Sequence, residues 1–309
     1  MAEPGAALHG WLVIDKPVGT GSTQVVGAVK RALQSGGYAK VKVGHGGTLD
    51  PLASGVLPIA LGEATKLAGR LLDGDKCYAF TVRFGEQTDT LDLEGQVVAT
   101  SDVRPRRAQV EAVLAHFTGP IEQVPPAFSA LKVNGERAYD LARAGEVVAL
   151  ASRKVVVHSL MLRHPGVGRD PYSQGDHDET FLARVSKGTY IRSLARDIAL
   201  ALGTVGHVTY LRRTRAGPFG LAGAISLDKL TELGHAHSLE QHLLSLRAGL
   251  DDIPALLLTP DQAGALRQGR VLAGIAADDG PAFALLNDVP VALVEVRDRE
   301  VRVERGFNL

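Results

Sequence analysis

The sequence predicts an α+β protein that ends in a small β-rich domain, and two observations lead to this prediction. Short apolar strand patterns, such as residues 77–84, alternate with amphipathic helical patterns over residues 1–250. Residues 251–309 instead form short alternating segments separated by Asn-Asp and Asp-Arg turns, and they contain no lysine. We therefore expect a large first domain over residues 1–250 and a compact second domain over residues 251–309.

The composition is that of a globular protein whose charges balance. The chain has 309 residues, of which 45% are hydrophobic and 22% charged, and its formal net charge is zero. Cys77 is the single cysteine, which excludes an internal disulfide and fits a reducing compartment. No apolar run reaches the ~20 residues of a membrane span, and the N-terminal segment lacks the features of a secretory signal. We expect a cytoplasmic location.

The first elements of the chain are a strand and an amphipathic helix. The strand at residues 11–14 ends before Lys16-Pro17, and Val25, Val29 and Leu33 follow at helical spacing. The Gly-x-Gly at residues 19–21 is similar to a dinucleotide-binding loop, but glutamine occupies the position of the third glycine. A nucleotide-cofactor enzyme is therefore one alternative, which the absence of a thermal shift with NAD(P) or ATP would remove.

The run GHGGTLDP at residues 44–51 contains a single carboxylate, that of Asp50, directly before Pro51. Its glycines allow the backbone to approach a ligand closely, and the proline disfavours a helical conformation for Asp50. The apolar run after Pro51 would anchor this loop to the core. A loop of this kind is either an ordinary turn or a catalytic site, and the local sequence leaves both interpretations open.

Two further stretches contain candidate binding residues. In the predicted strand at residues 77–84, Tyr78 faces the same side as Phe80. Tyr78 is a candidate binding residue, and the alternative is an ordinary half-buried aromatic residue of a strand. Residues 125–153 combine Pro-Pro, an Asn-Gly turn and a short helix. Basic side chains are interleaved there with aromatic ones, so this segment is a candidate RNA-facing flap. Its basic residues are Lys132, Arg137, Arg143 and Arg153.

The helix predicted over residues 190–202 carries a cation in its first turn. Tyr190, Leu194 and Ile198 fall on one stripe of this helix. Arg192 lies where a positive charge opposes the helix macrodipole unless an anion pairs with it. Arg192 is thus a candidate partner for a buried carboxylate, and an ordinary surface arginine is the alternative.

The polar stretch at residues 163–179 shows no periodicity, and we expect an exposed loop there. Its histidines and acidic residues lack any recurring metal-ligand spacing, so we expect no metal site.

Six stretches of the chain resemble the TruB-type tRNA pseudouridine-55 synthases of the standalone bacterial kind. These stretches are GWLVIDKPVG, VGHGGTLDPLASGVLPIALGEATK, DKCYAFTVRFGEQTDTLDLEG, PPAFSALKVNGERAYDLAR, SKGTYIRSLARDIA and VTYLRRTRAGPF. They follow the family's order at compatible spacing, from residue 10 to about residue 220. The resemblance implies a mixed, largely antiparallel sheet flanked by helices, with a C-terminal domain of PUA type.

The resemblance also implies the chemistry, which is isomerisation of uridine-55 in the tRNA T-loop to pseudouridine without a cofactor or a metal. Asp50 matches the family's nucleophile, and a neighbouring cation such as Arg192 would keep it ionised beside a desolvated base. Tyr78 matches the tyrosine that stacks on the base and acts near its C5 atom. The target base is stacked inside folded RNA and must be flipped into a pocket.

Other residues match the family's contacts to its substrate. Tyr190 and Leu211 match pocket residues, and His45 matches the histidine that enters the space left by the flipped base. Gly47 belongs to the glycines that would leave room for the RNA backbone. Contacts to phosphate are expected from Lys66, Lys132, Arg212, Arg213 and Arg215. The implied partner is the T-arm of tRNA, with no membrane and no obligate protein partner, and the implied state is a monomer.

One departure and one further alternative accompany this resemblance. Gly46 stands where many members carry Thr or Ala, and we expect this glycine to loosen the loop. A non-catalytic tRNA-binding or tRNA-folding chaperone is a second hypothesis, because the flap and the tail would suffice for it. It would be favoured if the chain left uridine unmodified yet accelerated tRNA folding. The presence of all four matched site residues argues against a non-catalytic protein. These residues are Asp50, Tyr78, Tyr190 and Arg192.

Overall fold

The computed structural model describes residues 5–129, 131–133, 135–146, 148–163, 178–250 and 253–309. Most of the predicted loop at residues 163–179 therefore lies outside the described residues. The same holds for Asn134 of the predicted Asn-Gly turn and for residues 251–252 at the predicted domain boundary. Within the described part of the chain, no helix is long and apolar enough to cross a membrane.

The strands, in chain order, are β1 (Gly10–Lys16), β2 (Val43–His45), β3 (Ser54–Leu61), β4 (Lys76–Phe84), β5 (Glu86–Thr88), β6 (Val97–Thr100), β7 (Gly119–Gln123), β8 (Lys132–Val133), β9 (Glu136–Arg137), β10 (Arg153–Leu162), β11 (Asp178–Val185), β12 (Gly206–Ala216), β13 (Phe219–Gly220), β14 (Ala255–Leu257), β15 (Leu272–Ala273), β16 (Gly280–Leu286), β17 (Val289–Arg297) and β18 (Glu300–Gly306). The α-helices are α1 (Ser22–Ser35), α2 (Ala68–Asp73), α3 (Arg107–Val113), α4 (Ala138–Arg143), α5 (Ile191–Ala201), α6 (Leu227–His235) and α7 (Pro260–Arg267).

The main sheet is mixed and largely antiparallel, as the sequence predicts. Its strand order is β1-β3-β12-β4-β11-β10-β7, with β2 added to β3 and β13 added to β12. The β3–β12 pair is parallel, and the other pairs of this sheet are antiparallel. Since β12 lies between β3 and β4, the loop that carries Asp50 is brought beside residues far along the chain.

Strand β3 provides the fixed support for that loop. All eight of its residues are buried. Leu57 and Ile59 contribute to an apolar cluster on one face of the sheet, and Val56 and Ala60 contribute to a cluster on the other. A strand covered on both faces has a continuous apolar sequence, and the run after Asp50 has this pattern.

Helices α1 and α5 belong to two neighbouring apolar clusters. Val25 and Val29 of α1 lie in one cluster, and Leu194 and Ile198 of α5 lie in the other. The side chains of Tyr78 and Leu211 pack against both clusters. The two helical predictions are thus confirmed, and two predicted pocket residues lie where the clusters meet.

The C-terminal residues form a second, five-stranded sheet in the order β14-β16-β17-β18-β15. Its hairpins turn at residues 287–288 and 298–299, where all four residues have positive φ angles between 49° and 63°. That conformation is typical of the tight turns predicted there. Phe283 and Phe307 share an apolar cluster with Trp11, so the second sheet packs against the first. The division into domains at residue 251 stays a prediction.

The flap is defined as residues 125–153, and its last residue, Arg153, begins β10. Before that residue, its described part contains only the two-residue strands β8 and β9 and the short helix α4. The rings of Phe128 and Tyr139 meet edge to face with their centroids 6.0 Å apart. The guanidinium of Arg143 lies 4.6 Å from the centre of the Tyr139 ring and pairs with Glu94 at 3.4 Å. The flap is therefore attached by few contacts, and its charged surface faces solvent.

Candidate active site

The Asp50 loop, residues 44–51, connects β2 to β3 and is anchored through its backbone. The Ser22 hydroxyl at the start of α1 accepts a hydrogen bond from the Leu49 amide at 2.9 Å and donates one to the Leu49 carbonyl at 3.0 Å. The Gly19 amide donates to the Pro51 carbonyl at 2.8 Å. Since both of Asp50's neighbours are held, its carboxylate has a defined direction.

Lys16 is a second anchor of this loop, and its burial is complete. Its ammonium donates to the carbonyls of Pro17, Thr20 and Pro51 at 3.0, 2.7 and 3.2 Å. Burial lowers the pKa of Lys16 from 10.5 to about 8, although the negative charge of Asp50 acts in the opposite direction. The sequence pattern indicates only the end of a strand at Lys16, and the Lys-Pro pair before a glycine-rich turn is the available signal for this role.

Arg213 is also a support of the loop, which differs from its predicted role. The side chain is 1% exposed, and its guanidinium donates to the carbonyls of Val56, Thr48 and Gly47 at 2.7, 3.2 and 3.0 Å. The expectation that Arg213 contacts phosphate is therefore wrong, because its donors are used inside the protein. The glycine at residue 55 allows the backbone of β12 to lie close to β3 at Arg213, since a Cβ at residue 55 would collide with the Arg213 carbonyl.

Arg192 pairs with Asp50: its position at the start of a helix predicted a carboxylate partner, and the family resemblance implied that this partner is Asp50. Its Nη2 atom lies 2.9 Å from the Asp50 carboxylate, and the arginine side chain is 6% exposed against 38% for the aspartate. Nη1 donates to the Thr90 carbonyl at 2.8 Å, and Nη2 donates to the Phe128 carbonyl at 3.0 Å. Since the guanidinium is held by two backbone carbonyls, it presents a fixed positive charge to Asp50.

Asp92 provides a second carboxylate for Arg192, and the sequence pattern does not predict it. Its carboxylate lies 3.7 Å from the Arg192 Nη1 atom. It is buried and accepts hydrogen bonds from the Thr90 hydroxyl at 2.6 Å and from the Glu94 amide at 3.0 Å. The run TDTLDLEG indicates only an acidic turn. The buried cation therefore lies between two carboxylates, of which Asp50 is the more exposed.

A cleft of about 110 Å³ opens beside the Asp50 carboxylate. Tyr78 from β4, Leu211 from β12 and Tyr190 at the start of α5 line it together with Arg192. The remaining lining residues are Thr48, Leu49, Ala53, Thr189 and Ile191. Five residues predicted for catalysis or for the pocket thus meet at one cleft.

This arrangement suits chemistry on a flat, uncharged ring. Two tyrosines and a leucine offer apolar walls on which a base could stack, while the carboxylate of Asp50 offers a nucleophile at the edge of the cleft. The guanidinium of Arg192 places a positive charge 2.9 Å from that carboxylate.

His45 and Gly46 lie at the start of the Asp50 loop. His45 ends β2, and burial together with the nearby charge of Arg213 lowers its pKa below 6.5. The imidazole is therefore neutral at pH 7. Gly46 is buried against the side chain of Leu71, which would collide with a Cβ at this position. The expected loosening at Gly46 is not supported, because Leu71 fills the space.

The remaining predicted contacts to substrate are placed apart from the cleft. Lys66 pairs with Glu63 at 2.6 Å and donates to the Gly306 carbonyl at 2.9 Å, which links the first sheet to the second. Arg212 pairs with Asp15 at 2.7 Å, and Lys132 is exposed on β8 of the flap. In the described residues, no group of three or more His, Cys, Asp or Glu side chains could hold a metal ion.

Comparison with known proteins places the chain in a family. Residues 31–191 match the family model described as the N-terminal domain of the TruB family pseudouridylate synthases. Residues 192–253 match the C-terminal domain of tRNA pseudouridylate synthase B. The chain is 62% identical to the tRNA pseudouridine synthase B of Novosphingobium aromaticivorans, with 98% of each chain covered. It is 59% identical to that of Zymomonas mobilis, over 99% of this chain and 98% of the relative.

Solved structures have the same fold. A structure of a Cbf5-Nop10-Gar1 complex contains a chain that matches with a TM-score of 0.73 and 26% identity, over 97% of this chain and 85% of that one. An archaeal box H/ACA sRNP Nop10-Cbf5 complex matches with a TM-score of 0.68 and 25% identity, over 97% and 86% of the two chains. The predicted family is confirmed, and this chain belongs to the TruB family of pseudouridylate synthases.

Proposed function

We propose that this chain isomerises uridine-55 in the T-loop of tRNA to pseudouridine, with Asp50 as the nucleophile. The observation that carries the proposal is the 2.9 Å pair between Arg192 and Asp50 at the edge of a cleft walled by Tyr78, Tyr190 and Leu211. The names of the bacterial relatives support tRNA as the substrate.

The reaction is balanced within the substrate. The bond between N1 of uracil and C1′ of ribose breaks, the base turns, and a bond forms between C5 and C1′. The proton on C5 is lost and N1 gains one, so that the product is an isomer of the substrate. No oxidant, reductant or transferred group enters this balance.

The proposed roles follow from the position of each side chain around the cleft. Arg192 places its positive charge against the Asp50 carboxylate, and Asp92 lies beside the other terminal nitrogen of the same guanidinium. Tyr78 stacks on the flipped base and acts near its C5 atom, while Tyr190 and Leu211 form the other walls. Flipping the base out of the T-loop costs a few kcal/mol, which contacts in the cleft and to the RNA backbone offset.

The remaining residues act on the RNA outside the cleft. His45 enters the space that the flipped base vacates, and its neutral imidazole does so without the cost of burying a charge. Gly47 leaves room for the RNA backbone, and Lys132 of the flap contacts phosphate. Lys66 and Arg212, whose side chains also pair within the protein, supply weaker phosphate contacts. The chain acts as a cytoplasmic monomer, with residues 1–250 as its catalytic domain and residues 251–309 as a PUA-like domain.

The proposal is tested with T-arm RNA that contains uridine or cytidine at the target position. Wild-type protein is expected to convert the uridine to pseudouridine, detected by mass spectrometry after nuclease digestion. The Asp50→Asn variant should bind the RNA and form no product, because a neutral amide is a poor nucleophile. Asp102→Asn, which alters an exposed carboxylate elsewhere, is the matched control and should retain full activity.

Two outcomes would contradict the proposal. Full activity of Asp50→Asn would remove Asp50 as the nucleophile. Wild-type protein that leaves the uridine unmodified yet accelerates tRNA folding would favour the chaperone hypothesis instead.

A further inference from the structure

The two ends of the flap converge on one point of the main sheet. Gln123 is the last residue of β7 and Arg153 is the first residue of β10, and these two residues are directly paired in the antiparallel register. Both side chains reach Tyr190, the residue that precedes α5 and lines the cleft. The flap and a wall of the cleft therefore share the same supports.

Gln123 holds the backbone of Tyr190. Its side-chain nitrogen donates to the Tyr190 carbonyl at 3.1 Å, and its side-chain oxygen accepts from the Tyr190 amide at 2.8 Å. The glutamine is 1% exposed. An amide at the N-terminus of a helix lacks an intrahelical partner, and Gln123 satisfies the one on Tyr190. The pair of hydrogen bonds fixes the direction in which the tyrosine enters the cleft.

Arg153 holds the ring of the same residue. The carbon of its guanidinium lies 4.7 Å from the centre of the Tyr190 ring, within the range of a cation–π interaction. Its Nε and Nη2 atoms are enclosed and have no hydrogen-bond partner within the residues that the structure describes. Stacking on Tyr190 is thus the principal contact of this buried part of the side chain.

The first residues of the flap are attached to α5 as well. The carbonyl of Val124, directly before the flap, accepts hydrogen bonds from the Ser193 hydroxyl at 2.8 Å and from Arg196 at 3.1 Å. The Phe128 carbonyl accepts one from Arg192 at 3.0 Å. A displacement of the first residues of the flap would therefore shift both Tyr190, a wall of the cleft, and Arg192, the partner of Asp50.

We propose that Gln123 and Arg153 are positioning residues that fix Tyr190 as a wall of the base pocket and transmit engagement of the flap by RNA to that wall. The proposal rests on the proposed function, since it concerns how the flipped base is held. A direct contact between Arg153 and phosphate is the competing assignment. The enclosure of two of its nitrogens favours positioning, because a group that binds phosphate must expose its donors.

The test separates the rate of the chemical step from RNA affinity. Gln123→Met, Arg153→Met and Arg153→Lys are compared with wild type for the single-turnover rate on T-arm RNA and for Kd over a series of salt concentrations. Gln123→Met and Arg153→Met should lose about 10- to 100-fold in single-turnover rate, since a misplaced wall costs orientation of the base. Their Kd and its salt dependence should stay at the wild-type values, and Arg153→Lys should recover part of the rate. Lys154→Met, at the exposed neighbouring position, is the matched control.

A double-mutant cycle identifies the Tyr190 ring as the group through which Arg153 acts. In a Tyr190→Leu background, Arg153→Met should have almost no further effect on the rate, because the contact it removes is already absent. Additive losses would overturn the proposal. So would a weaker Kd with a shallower salt dependence and an unchanged rate, which would assign Arg153 to phosphate.

Folding and function are controlled separately. If thermal unfolding shows that Gln123→Met does not fold, Gln123→Glu replaces it, because it keeps the shape and the acceptor but puts an acceptor where the amide donates to the Tyr190 carbonyl. The Arg153 variants carry the test in either case. Failure of the wild-type protein to form pseudouridine would contradict the proposed function before any variant is compared.

Discussion

The Asp50 loop and the flap differ in how firmly the rest of the molecule holds them. The Asp50 loop is bound through its backbone by Ser22, by the buried Lys16 and by the buried Arg213. Arg192 then holds the carboxylate itself. The loop begins at β2 and leads into a strand that is buried on both faces.

Along its described length the flap is held by the hydrogen bond from Arg192 to the Phe128 carbonyl and by the exposed Arg143–Glu94 pair. Its strands are two residues long, its basic side chains Lys132 and Arg137 are exposed, and its aromatic contact is between two of its own residues. Its firm attachments lie at its two ends. Asp50 is thus fixed by the protein itself, whereas Lys132 and Arg137 of the flap are exposed to solvent. Changes near Asp50 should therefore alter rate or stability, and changes to the exposed basic residues of the flap should alter RNA affinity.

The largest expected effect on the single-turnover rate comes from removing Arg192, the partner of Asp50. Arg192→Met should lower the single-turnover rate roughly 10²- to 10³-fold, as when one preorganised electrostatic partner is removed from a reacting group. Kd for T-arm RNA should change little. The control is Arg184→Met on β11, whose exposed guanidinium pairs with the Asp75 carboxylate at 2.7 Å. Equal losses in the two variants would show that the pairing with Asp50 is not what matters.

The next effect concerns the support beneath the loop. Arg213→Met leaves the carbonyls of Val56, Thr48 and Gly47 without this donor. The free energy of unfolding should fall by about 3 kcal/mol, at about 1 kcal/mol or more for each buried group left unpaired. Urea denaturation measures this loss. Arg212→Met, at the preceding position and 24% exposed, should cost less than about 1 kcal/mol. A stable Arg213→Met protein that binds RNA weakly would restore the phosphate contact predicted for Arg213.

A smaller effect should appear in the pH dependence of the rate. The pKa of Lys16 is about 8, so its ammonium loses a proton as the pH rises through that value. The neutral amine of Lys16 has two N–H donors for three carbonyl acceptors. Its hydrogen bond to the Pro51 carbonyl, the longest of the three at 3.2 Å, is then weakened. The rate should therefore fall about fivefold above pH 8, the equivalent of one hydrogen bond of about 1 kcal/mol.

Two variants identify the group responsible for that fall. Lys16→Met should be slower at neutral pH and should lack the decline above pH 8. Lys76 also has a pKa lowered to about 8, but its ammonium holds the end of α2. Lys76→Met should therefore keep the decline. The assignment to Lys16 fails if the decline is lost in Lys76→Met instead.

The smallest effect is expected in the flap. Lys132→Ala should weaken RNA binding a few-fold and reduce the slope of log K against log salt by about 0.7 to 0.9, the loss of one phosphate contact. The single-turnover rate at saturating RNA should be unchanged. Lys229→Ala, on α6, is the control for loss of one exposed positive charge. A lower rate with unchanged affinity would place Lys132 with the catalytic groups and blur the distinction between the two regions.

Local patterns in the sequence were sufficient for much of the fold. The spacing of Val25, Val29 and Leu33 predicted α1, and the Asn-Asp and Asp-Arg pairs predicted the C-terminal turns. The pairing of Arg192 with a carboxylate was predicted from its unfavourable place in a helix. These signals work because helical periodicity, turn conformation and the helix dipole depend on residues close together in the chain.

Burial and pairing of the supporting residues were decided by the tertiary structure. Arg213 looked like one of three exposed arginines, yet the parallel pairing of β12 with β3 places it opposite residue 55 and beneath the Asp50 loop. Asp92 and Gln123 gave no local sign of their roles, and the Lys16-Pro17 pair before a glycine-rich turn gave only a weak one. Their partners come from other strands and helices, and sequence periodicity does not specify which distant segments meet. The sequence alone therefore determined the family to which the chain belongs and the side chains that are candidates for catalysis. The packing of the strands determined which charged side chains support Asp50. The physical reason is that the desolvation of a charged group depends on all the segments that surround it.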